Sequence, residues 1–465
     1  MKVTLVNYHS GDQINSRVPN SLVKIFGVTP PLGLAYIAAI LEKEKYDVSI
    51  LDVPALNLTK KEAYEEIKKQ KPDVVGVTCM SSTIKGALEA AQLAKKVGAI
   101  VVIGGSHMAA YPKEILSHAF VDYGLIGEGE HTLPLLLKAI ENKTSLKNIP
   151  GLVYKKDNEI IINPGFGFVE DLDSLPIPAY HLLPIEKYNL VIALHPMITM
   201  VSSRGCPGQC GFCFKKPGDK KLRFRSPEKI VDEMEFLVKK YKIKEIVIAD
   251  DNLTTSKPNI KKICNEIIKR KLNVRWEAPT RVDFVDLETL NLMRKAGCRR
   301  LRYGVESGDE NTLKLMKKGV ALEKIRQVFK WTKQARIESF AYFIIGYIGE
   351  TEESIKKTIN FAKELDPDML MFCAATPLPD TNLYDLAISQ GFVDKDYWKD
   401  YTLGKTDKRL PFFVKDTEEW VKKAYRSFYF RPKYILRMLM KIRSWHDIKK
   451  YYYAALGLLL FRMEK

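Results

Sequence analysis

Short apolar runs alternate with amphipathic stretches along the first third of the chain. The runs "KVTLV", "VSILDV", "DVVGVT" and "IVVIGG" are rich in β-branched residues, and segments with helical spacing such as "GLAYIAAILEKE" and "GALEAAQLAKKV" stand between them. Strands that alternate with helices are typical of a parallel sheet covered by helices on both faces. The pattern therefore predicts an α/β domain over residues 1–150.

Polar and glycine-rich segments follow three of these predicted strands. They are "TCMSS" (78–82), "GGSHM" (104–108) and "GEGEHT" (127–132). Ligands of open parallel sheets bind beyond the carboxyl ends of the strands. We therefore expect these three loops to form one crevice.

The alternation stops over residues 151–195. The segment "GLVYKKDNEIIINPG" has the pattern of a hairpin, and prolines interrupt "DLDSLPIPAYHLLP". We interpret this stretch as a connector between two domains.

A second series of strands and helices occupies residues 196–395. Its six predicted strands are "MITMVSS", "IKEIVIAD", "VRWEA", "RRLRYGV", "SFAYFIIG" and "DMLMFCAA". Six β/α units in succession predict a partial (β/α)6 barrel of the TIM type, with its site at the C-terminal ends of the strands. No internal repeat of 20 to 50 residues accompanies them.

Aromatic and basic residues are mixed in the last part of the chain, residues 396–465, which is predicted to be mostly helical. Between Val421 and Lys465, twelve Lys and Arg stand against two acidic residues, and the longest apolar run is too short to span a bilayer. Two interpretations stay open. Either this segment lies on an anionic membrane, or it is a basic helical cap that closes the barrel.

Composition narrows the setting of the protein without identifying a partner. An apolar share of 46% in 465 residues excludes a disordered chain and allows two or three domains. Seven cysteines without a repeating framework, and a start that lacks the apolar stretch of a signal peptide, indicate a reducing, cytoplasmic location. The net charge of +18 favours anionic partners such as nucleic acid, phospholipid or a nucleotide-like cofactor.

Three of the seven cysteines lie within eight residues, in "SSRGCPGQCGFCF". They are Cys206, Cys210 and Cys213, and glycines at 205, 208 and 211 allow the backbone to fold tightly around a ligand. Three thiolates are one fewer than the four of a closed zinc or iron-sulfur site. Either His195 or a distant thiol completes a zinc site, or one coordination position is left open.

The cysteine loop resembles the cluster-binding signature of radical S-adenosylmethionine (SAM) enzymes, C-x-x-x-C-x-aromatic-C. Downstream, "ADDN", "APTRVD", "YGVESG", "FIIGYIGETEES" and "ATPLPDTNLY" resemble the strand-end motifs of that superfamily in the expected order. The resemblance implies that the three cysteines hold a [4Fe-4S] cluster whose fourth iron binds SAM. Electron transfer from the reduced cluster would then release methionine and a 5′-deoxyadenosyl radical, which abstracts hydrogen from an unactivated C–H bond.

The same resemblance suggests which side chains contact SAM. They are Phe212 at the adenine, Arg281 at the carboxylate, Glu306 and Ser307 facing the cofactor, and Gly346 at a close backbone approach. Ile348 and Asp380 depart from the family pattern, in which Pro and Gly are frequent at these places.

Simpler explanations exist for several of these residues. Asp250 and Asp251 could cap the next helix, and Glu306 could be a buried ion-pair partner of Arg302. The remaining cysteines are expected to pack as small buried hydrophobes: Cys79, Cys264, Cys298 and Cys373.

The N-terminal domain, with "PPLGLAYIAAILE", "DVVGVTCMSSTIKGALEAAQLAK", "VVIGGSHMAAYPKEIL" and "VDYGLIGEGEHTL", resembles the Rossmann-like cobalamin-binding domain of B12-dependent radical SAM enzymes. The implied cofactor contacts are Ser81, Ser82, Gly104, Gly105, Ser106, His107, Gly127, Glu128, Gly129 and Thr132. No D-x-H-x-x-G motif is present, so the usual lower-ligand histidine is missing. His107 is either a cobalt ligand or a packing residue, and Glu128 and Glu130 could instead be carboxylates at a helix N-terminus.

Methyl transfer to an unactivated centre of a small molecule or lipid is the leading reaction that this resemblance implies. It would require an external electron donor of the flavodoxin or ferredoxin type. Oxidation or ring formation on the same scaffold is the alternative, and a zinc- and nucleic-acid-binding protein is a remote third hypothesis.

Overall fold

The computed structural model describes residues 1–8, 27–190, 192–214, 221–440 and 442. Two sheets and a short two-stranded ribbon carry the fold. The strands are β1 Lys2–Asn7, β2 Asp47–Asp52, β3 Val74–Thr78, β4 Ile100–Gly104, β5 Tyr123–Leu125, β6 Leu152–Lys156, β7 Glu159–Ile162, β8 Met197–Met200, β9 Ser203–Arg204, β10 Arg223–Phe224, β11 Glu245–Ile248, β12 Arg275–Thr280, β13 Cys298–Glu306, β14 Glu338–Ile345 and β15 Met369–Ala374.

Helices cover both large sheets. They are α1 Leu32–Lys43, α2 Val53–Leu56, α3 Lys60–Gln70, α4 Ile84–Lys96, α5 Ser106–Ala110, α6 Pro112–Ser117, α7 Gly129–Asn142, α8 Pro227–Tyr241, α9 Lys257–Lys269, α10 Leu287–Lys295, α11 Glu310–Leu315, α12 Leu322–Gln334, α13 Glu352–Leu365, α14 Asn382–Ser389, α15 Tyr397–Thr402, α16 Thr417–Tyr429 and α17 Pro432–Met440.

The N-terminal sheet has the strand order β2-β1-β3-β4-β5-β6-β7, and its first five strands are parallel. Apolar side chains of β1, β3 and β4 are buried on both faces, which explains their continuous apolar runs. The chain order reverses between β1 and β3, and this reversal opens a crevice at the carboxyl ends of the strands. The predicted α/β domain is confirmed.

The predicted hairpin belongs to this sheet and is not part of a connector. β6 pairs antiparallel with β5, and β7 pairs antiparallel with β6. Asp157 and Asn158 form the turn with φ of 50° and 64°, which suits a tight two-residue hairpin. The segment that links the sheets is the proline-rich part that follows, with short 3₁₀ turns between Leu172 and Lys187.

The second sheet is the predicted partial barrel. Six parallel strands follow one another in the order β8-β11-β12-β13-β14-β15, with helices on the outside. Cys264 and Cys298 are fully buried among apolar side chains, as is Cys79 in the N-terminal domain, which confirms their packing role. Cys373 is half-buried in β15.

Helix α16 covers the free edge of β15. The Tyr425 hydroxyl bonds both to the amide of Phe372 (3.1 Å) and to its carbonyl (3.2 Å). The Tyr429 hydroxyl does the same at Leu370, at 3.0 and 2.7 Å. The described part of the C-terminal region is thus a helical cap on the edge of the barrel sheet.

Most of the basic, aromatic end of the chain, including the run "YYYAALGLLLF", lies outside the described residues. Among the residues that the structure describes, no helix is both long and apolar enough to cross a bilayer.

Candidate active site

The cysteine loop begins where the first barrel strand ends. β9 immediately precedes the loop, β10 follows it, and the two pair antiparallel. The tip is anchored by two backbone hydrogen bonds: Gly211 N donates to Met316 O (2.9 Å), and Leu383 N donates to Gly211 O (2.8 Å). The C-terminal end of α11 and the start of α14 therefore hold the loop over the barrel.

Two of the three thiols flank one glycine. A Cβ at Gly208 would lie 3.4 Å from the Cys206 Sγ and 3.9 Å from the Cys210 Sγ. Cys213 is exposed, and its thiol donates to the Phe214 carbonyl at 3.6 Å. Across the described ranges, no three His, Cys, Asp or Glu side chains converge as closely as metal ligands do.

Arg281 points at the cysteine loop. Its Nη1 lies 3.4 Å from the Cys210 Sγ, while Nε and Nη2 form a bidentate pair with Asp283 at 2.9 and 2.8 Å. Nη2 also donates to the Lys318 carbonyl. The Nη1 end of the guanidinium therefore faces a thiol. The predicted bidentate grip on a carboxylate, made through Nη1 and Nη2, would require Nη2 to release the Lys318 carbonyl.

Glu306 forms an ion pair with Lys318, not with Arg302. The Lys318 Nζ donates to Oε1 of Glu306 at 2.9 Å, and both side chains are more than nine-tenths buried. A Cβ at Gly304 would lie 2.4 Å from that oxygen, so glycine leaves room for the pair. Arg302 instead approaches Glu277, with Nε 3.7 Å from Oε1. The suggested pairing of Glu306 with Arg302 was wrong.

Three other predicted SAM contacts are engaged with the protein itself. Ser307 is fully buried, and its hydroxyl lies 2.9 Å from that of Thr358. Gly346 has φ of 80°, and a Cβ there would lie 2.7 Å from the Thr417 hydroxyl, so glycine allows α16 to pack closely at this position. Phe212 packs at the margin of an apolar cluster that includes Tyr347.

Asp250 does not cap a helix. Its carboxylate accepts hydrogen bonds from the Ser202 amide (2.7 Å), the Ser202 hydroxyl (2.5 Å) and the Ser203 hydroxyl (2.6 Å). Burial raises the pKa of Asp250, although these bonds oppose the change. Asp250 therefore fixes Ser202 and Ser203, the residues that lead into the cysteine loop. Asp251 is exposed toward the large cavity.

A cavity of about 950 Å³ extends from the crevice of the N-terminal sheet to the cysteine loop. On the first side it is lined by residues of the three predicted loops and their ends: Thr78, Met80, Thr83, Gly104, Gly105 and Gly127–Glu130. On the second side it reaches Gly205, Phe214 and Asp251. The predicted crevice therefore opens directly onto the loop that carries the cysteines.

Only some of the predicted cofactor contacts line this cavity. Those that do are Gly104, Gly105, Gly127, Glu128 and Gly129, whereas Ser81, Ser82, Ser106, His107 and Thr132 do not. Sequence reasoning missed Asn7, Tyr36, Thr78, Met80 and Thr83, which line it instead. Met80 is 53% exposed, an unusual state for a large apolar side chain and a suitable surface for a flat ligand.

His107 lies in the core behind the crevice. Its Nδ1 is 3.0 Å from the Ser81 hydroxyl and its Nε2 is 2.7 Å from the Thr402 hydroxyl. Burial lowers the pKa of His107 to about 3, so the imidazole is neutral. Both ring nitrogens of His107 are therefore engaged by hydroxyl groups of the protein.

Two glutamates and two arginines join the domains at the cavity wall. Arg223 forms a bidentate pair with Glu128, with both contacts at 2.8 Å. Arg204, two residues before Cys206, bridges Glu128 (2.9 Å) and Glu130 (2.7 Å). Burial opposes ionisation of Glu128, but Arg223 and Arg204 outweigh it and hold its pKa below the ordinary value. The alternative, in which Glu128 and Glu130 are only carboxylates at a helix N-terminus, does not account for these ion pairs.

We expect Glu128→Gln to lower the free energy of unfolding by about 3 kcal/mol, because Arg223 loses its charged partner and Arg204 keeps only Glu130. Urea unfolding followed by tryptophan fluorescence measures the change. Glu170→Gln is the matched control, since Glu170 pairs with Lys221 where both side chains are more than half exposed. Its effect should stay below about 1 kcal/mol. Equal effects of the two substitutions would contradict a domain-joining role for Glu128.

Comparison with known proteins adds a family context. A family model described as the radical SAM superfamily matches residues 200–362, and one described as the B12 binding domain matches residues 21–137. An uncharacterized methyltransferase of Pyrococcus horikoshii is 34% identical over 424 residues, covering 90% of this chain and 92% of that protein.

Two further proteins extend the comparison. The anaerobic magnesium-protoporphyrin IX monomethyl ester cyclase of Rubrivivax gelatinosus is 31% identical over 389 residues, covering 81% of this chain and 68% of that protein. The solved structure of the cobalamin-dependent S-adenosylmethionine radical enzyme OxsB, with aqua-cobalamin and S-adenosylmethionine bound, superposes with a TM-score of 0.72 at 18% identity. It covers 99% of this chain and 72% of that chain. At this identity, the likeness concerns the fold alone.

Proposed function

The chain belongs to the radical SAM superfamily and to its subgroup with a B12-binding domain, and from that premise we propose that it is a cobalamin-dependent methyltransferase. The observation that carries the proposal is the continuous cavity between the N-terminal sheet and the cysteine loop. A methyl donor held at the sheet and a radical generated at the loop would share this space with a substrate.

The residues of the first side of the cavity suit a large planar ligand. A Cβ at Gly104 would meet no atom closer than 3.8 Å, and one at Gly33 would meet none within 4 Å. Asn7, Thr78 and Thr83 offer polar groups toward the same space. When bound, cobalamin supplies a methyl group to the acceptor. The protein contributes the apolar wall, the hydrogen-bonding groups and the exclusion of water.

The donor set of the second side suits an iron-sulfur cluster. The loop offers three thiols, and a four-iron cluster held by three cysteines would leave one iron open for SAM. Cys206 and Cys210 are half-buried, whereas Cys213 is exposed. We propose that an external one-electron donor of the flavodoxin or ferredoxin type approaches on the side of Cys213.

Anaerobic reconstitution with iron, sulfide and hydroxocobalamin tests this function. Extracts of cells that lack the gene, supplied with the loaded protein and SAM bearing a deuterated methyl group, should yield a product with three added deuterons. Mass spectrometry of small molecules and lipids reads this out. A loaded protein that cleaves SAM but never transfers the label would refute methyl transfer.

Ring formation is the second candidate, because one relative at 31% identity is a cyclase. In that case the same extracts should yield a product that has lost hydrogen and carries no deuterium from SAM. The two outcomes separate the candidates in a single measurement.

Helix α17 exposes apolar side chains that could contact a lipid surface. Its side chains Ile435, Leu436, Leu439 and Met440 are 43 to 64% exposed, on a segment rich in Lys and Arg. We propose that this apolar face contacts an anionic membrane surface, with the substrate reaching the cavity from the lipid.

We expect the protein to sediment with phosphatidylglycerol vesicles and not with phosphatidylcholine vesicles. Leu436→Glu with Leu439→Glu should reduce binding more than about tenfold, since each buried leucine contributes about 1.5 kcal/mol or more. Ile268→Glu is the control, because Ile268 is 39% exposed on α9. A wild-type protein that stays in solution with both vesicles would show that this face does not meet lipid.

A further inference from the structure

The Tyr347 hydroxyl is the clearest unsatisfied polar group beside the cysteine loop. Tyr347 is fully buried, and its hydroxyl has no hydrogen-bond partner in the part of the chain that the structure describes. A Cβ at Gly211, the residue after Cys210, would lie 3.0 Å from this oxygen. Buried hydroxyl groups without a partner are rare in folded proteins, so this donor points to a group that the loop acquires later.

The backbone amides near the tip of the loop are committed elsewhere. Gly211 N donates to Met316 O, and Cys213 N donates to the Cys210 carbonyl at 3.1 Å. Backbone amides commonly donate to cluster sulfurs, but these two are already used. A side-chain donor is already present near Cys210, because Arg281 Nη1 lies 3.4 Å from its sulfur.

Glu350 holds Tyr347 in place. Its Oε2 accepts hydrogen bonds from the Gly346 amide (2.7 Å) and the Tyr347 amide (2.9 Å). Burial raises the pKa of Glu350 to about 7, although the two amides oppose the change. These two hydrogen bonds fix the backbone of Tyr347, whose hydroxyl lies beside Gly211 of the cysteine loop.

The Tyr347 phenol and the Arg281 guanidinium approach the same part of the cysteine loop. The Tyr347 hydroxyl lies beside Gly211, the residue after Cys210, and Arg281 Nη1 lies 3.4 Å from the Cys210 Sγ. A phenol hydroxyl can donate a hydrogen bond to a thiolate.

We propose that the Tyr347 hydroxyl donates a hydrogen bond to the Cys210 sulfur and raises the reduction potential of the cluster. The inference rests on the proposed function, which puts a cluster on this loop. Hydrogen bonds to cluster sulfurs stabilise the more negative, reduced form. Tyr347 therefore acts through Cys210 as a tuning residue and makes the cluster easier to reduce.

Redox titration of the full-length reconstituted protein without SAM, followed by electron paramagnetic resonance, tests the proposal. Tyr347→Phe removes only the hydroxyl and should lower the ratio of reduced to oxidised cluster about tenfold at a fixed ambient potential. This corresponds to a shift of about 59 mV to more negative values for a one-electron couple. Tyr303→Phe is the control, because the buried Tyr303 hydroxyl bonds to Thr332 (2.7 Å) and does not face the loop.

A fluorinated tyrosine at position 347 provides the second measurement. Fluorination lowers the phenol pKa and strengthens the donor, so the potential should shift to less negative values, opposite to the effect of Tyr347→Phe. If Tyr347→Phe does not assemble a cluster, the potential of the protein with the fluorinated tyrosine still tests whether the hydroxyl donates to the Cys210 sulfur. An unchanged potential with a full iron content in the altered proteins would overturn the inference alone. A wild-type chain that holds no cluster would overturn the proposed function and the inference together.

Discussion

Cys210→Ala is expected to abolish SAM cleavage and to reduce the iron content well below about four per chain. The substitution leaves two thiols, and it also deprives Arg281 Nη1 of the sulfur that it approaches at 3.4 Å. Two protein ligands cannot hold a four-iron cluster with one open iron position. Iron and sulfide analysis, together with chromatography of 5′-deoxyadenosine, measures both effects on the same sample.

Cys264→Ala is the matched control for this prediction. Cys264 is a fully buried thiol on α9 that packs among apolar side chains of the barrel. Its replacement should leave the iron content and the SAM cleavage rate close to those of the wild type. Full cluster assembly and turnover in Cys210→Ala would refute the assignment of the cysteine loop.

The sequence was sufficient for the elements and their order. β-branched runs separated by amphipathic segments identify the strands of both sheets, because buried parallel strands need apolar side chains on both faces. Strand-end loops then converge by geometry alone, so the crevice at Thr78, Gly104 and Gly127 was also predictable. The hairpin was recognised, but its pairing with β5 was not, since both a sheet edge and a connector accept the same alternating pattern.

Several predicted site residues contact residues that are far away in the chain. The Nε2 of His107 is hydrogen-bonded to the hydroxyl of Thr402, which lies 295 positions further along the chain, and Thr417 packs against Gly346. No pattern in the neighbouring sequence predicts either contact. The same applies to Arg223, which is 95 positions from its partner Glu128.

The position of a strand-end motif is set by the backbone, whereas the direction of a side chain depends on what packs around it. Ser307 and Gly346 lie in the expected strand-end motifs, and they contact Thr358 of α13 and Thr417 of α16. Glu306, by contrast, keeps a charged partner near the cysteine loop through Lys318, whose carbonyl also binds Arg281.

Gly104→Phe is expected to weaken cobalamin binding more than about 100-fold, equivalent to about 2.8 kcal/mol. Gly104 lines the large cavity, and a Cβ there would meet only Leu125, at 3.8 Å, so an added ring has the cavity as its free space. The backbone needs no unusual φ at this glycine. The protein should therefore fold normally while its ligand space is filled.

Two further substitutions sharpen this experiment. Gly104→Ala should bind hydroxocobalamin nearly as well as the wild type, because a methyl group occupies little of the cavity. Gly105→Ala should instead destabilise the fold, since Gly105 has φ of 116° and a Cβ there would lie 2.3 Å from the Cys79 carbonyl.

Absorbance spectra of the bound corrinoid, the melting temperature and 5′-deoxyadenosine formation together decide the outcome for Gly104→Phe. We expect the corrinoid spectrum and methyl transfer to be lost while the melting temperature and the iron content are kept. That combination follows only if cobalamin occupies the crevice at β4 and the cysteine loop works from the other side of the cavity. Wild-type corrinoid binding by Gly104→Phe would place the cofactor elsewhere, because an aromatic ring and a corrin cannot share this space.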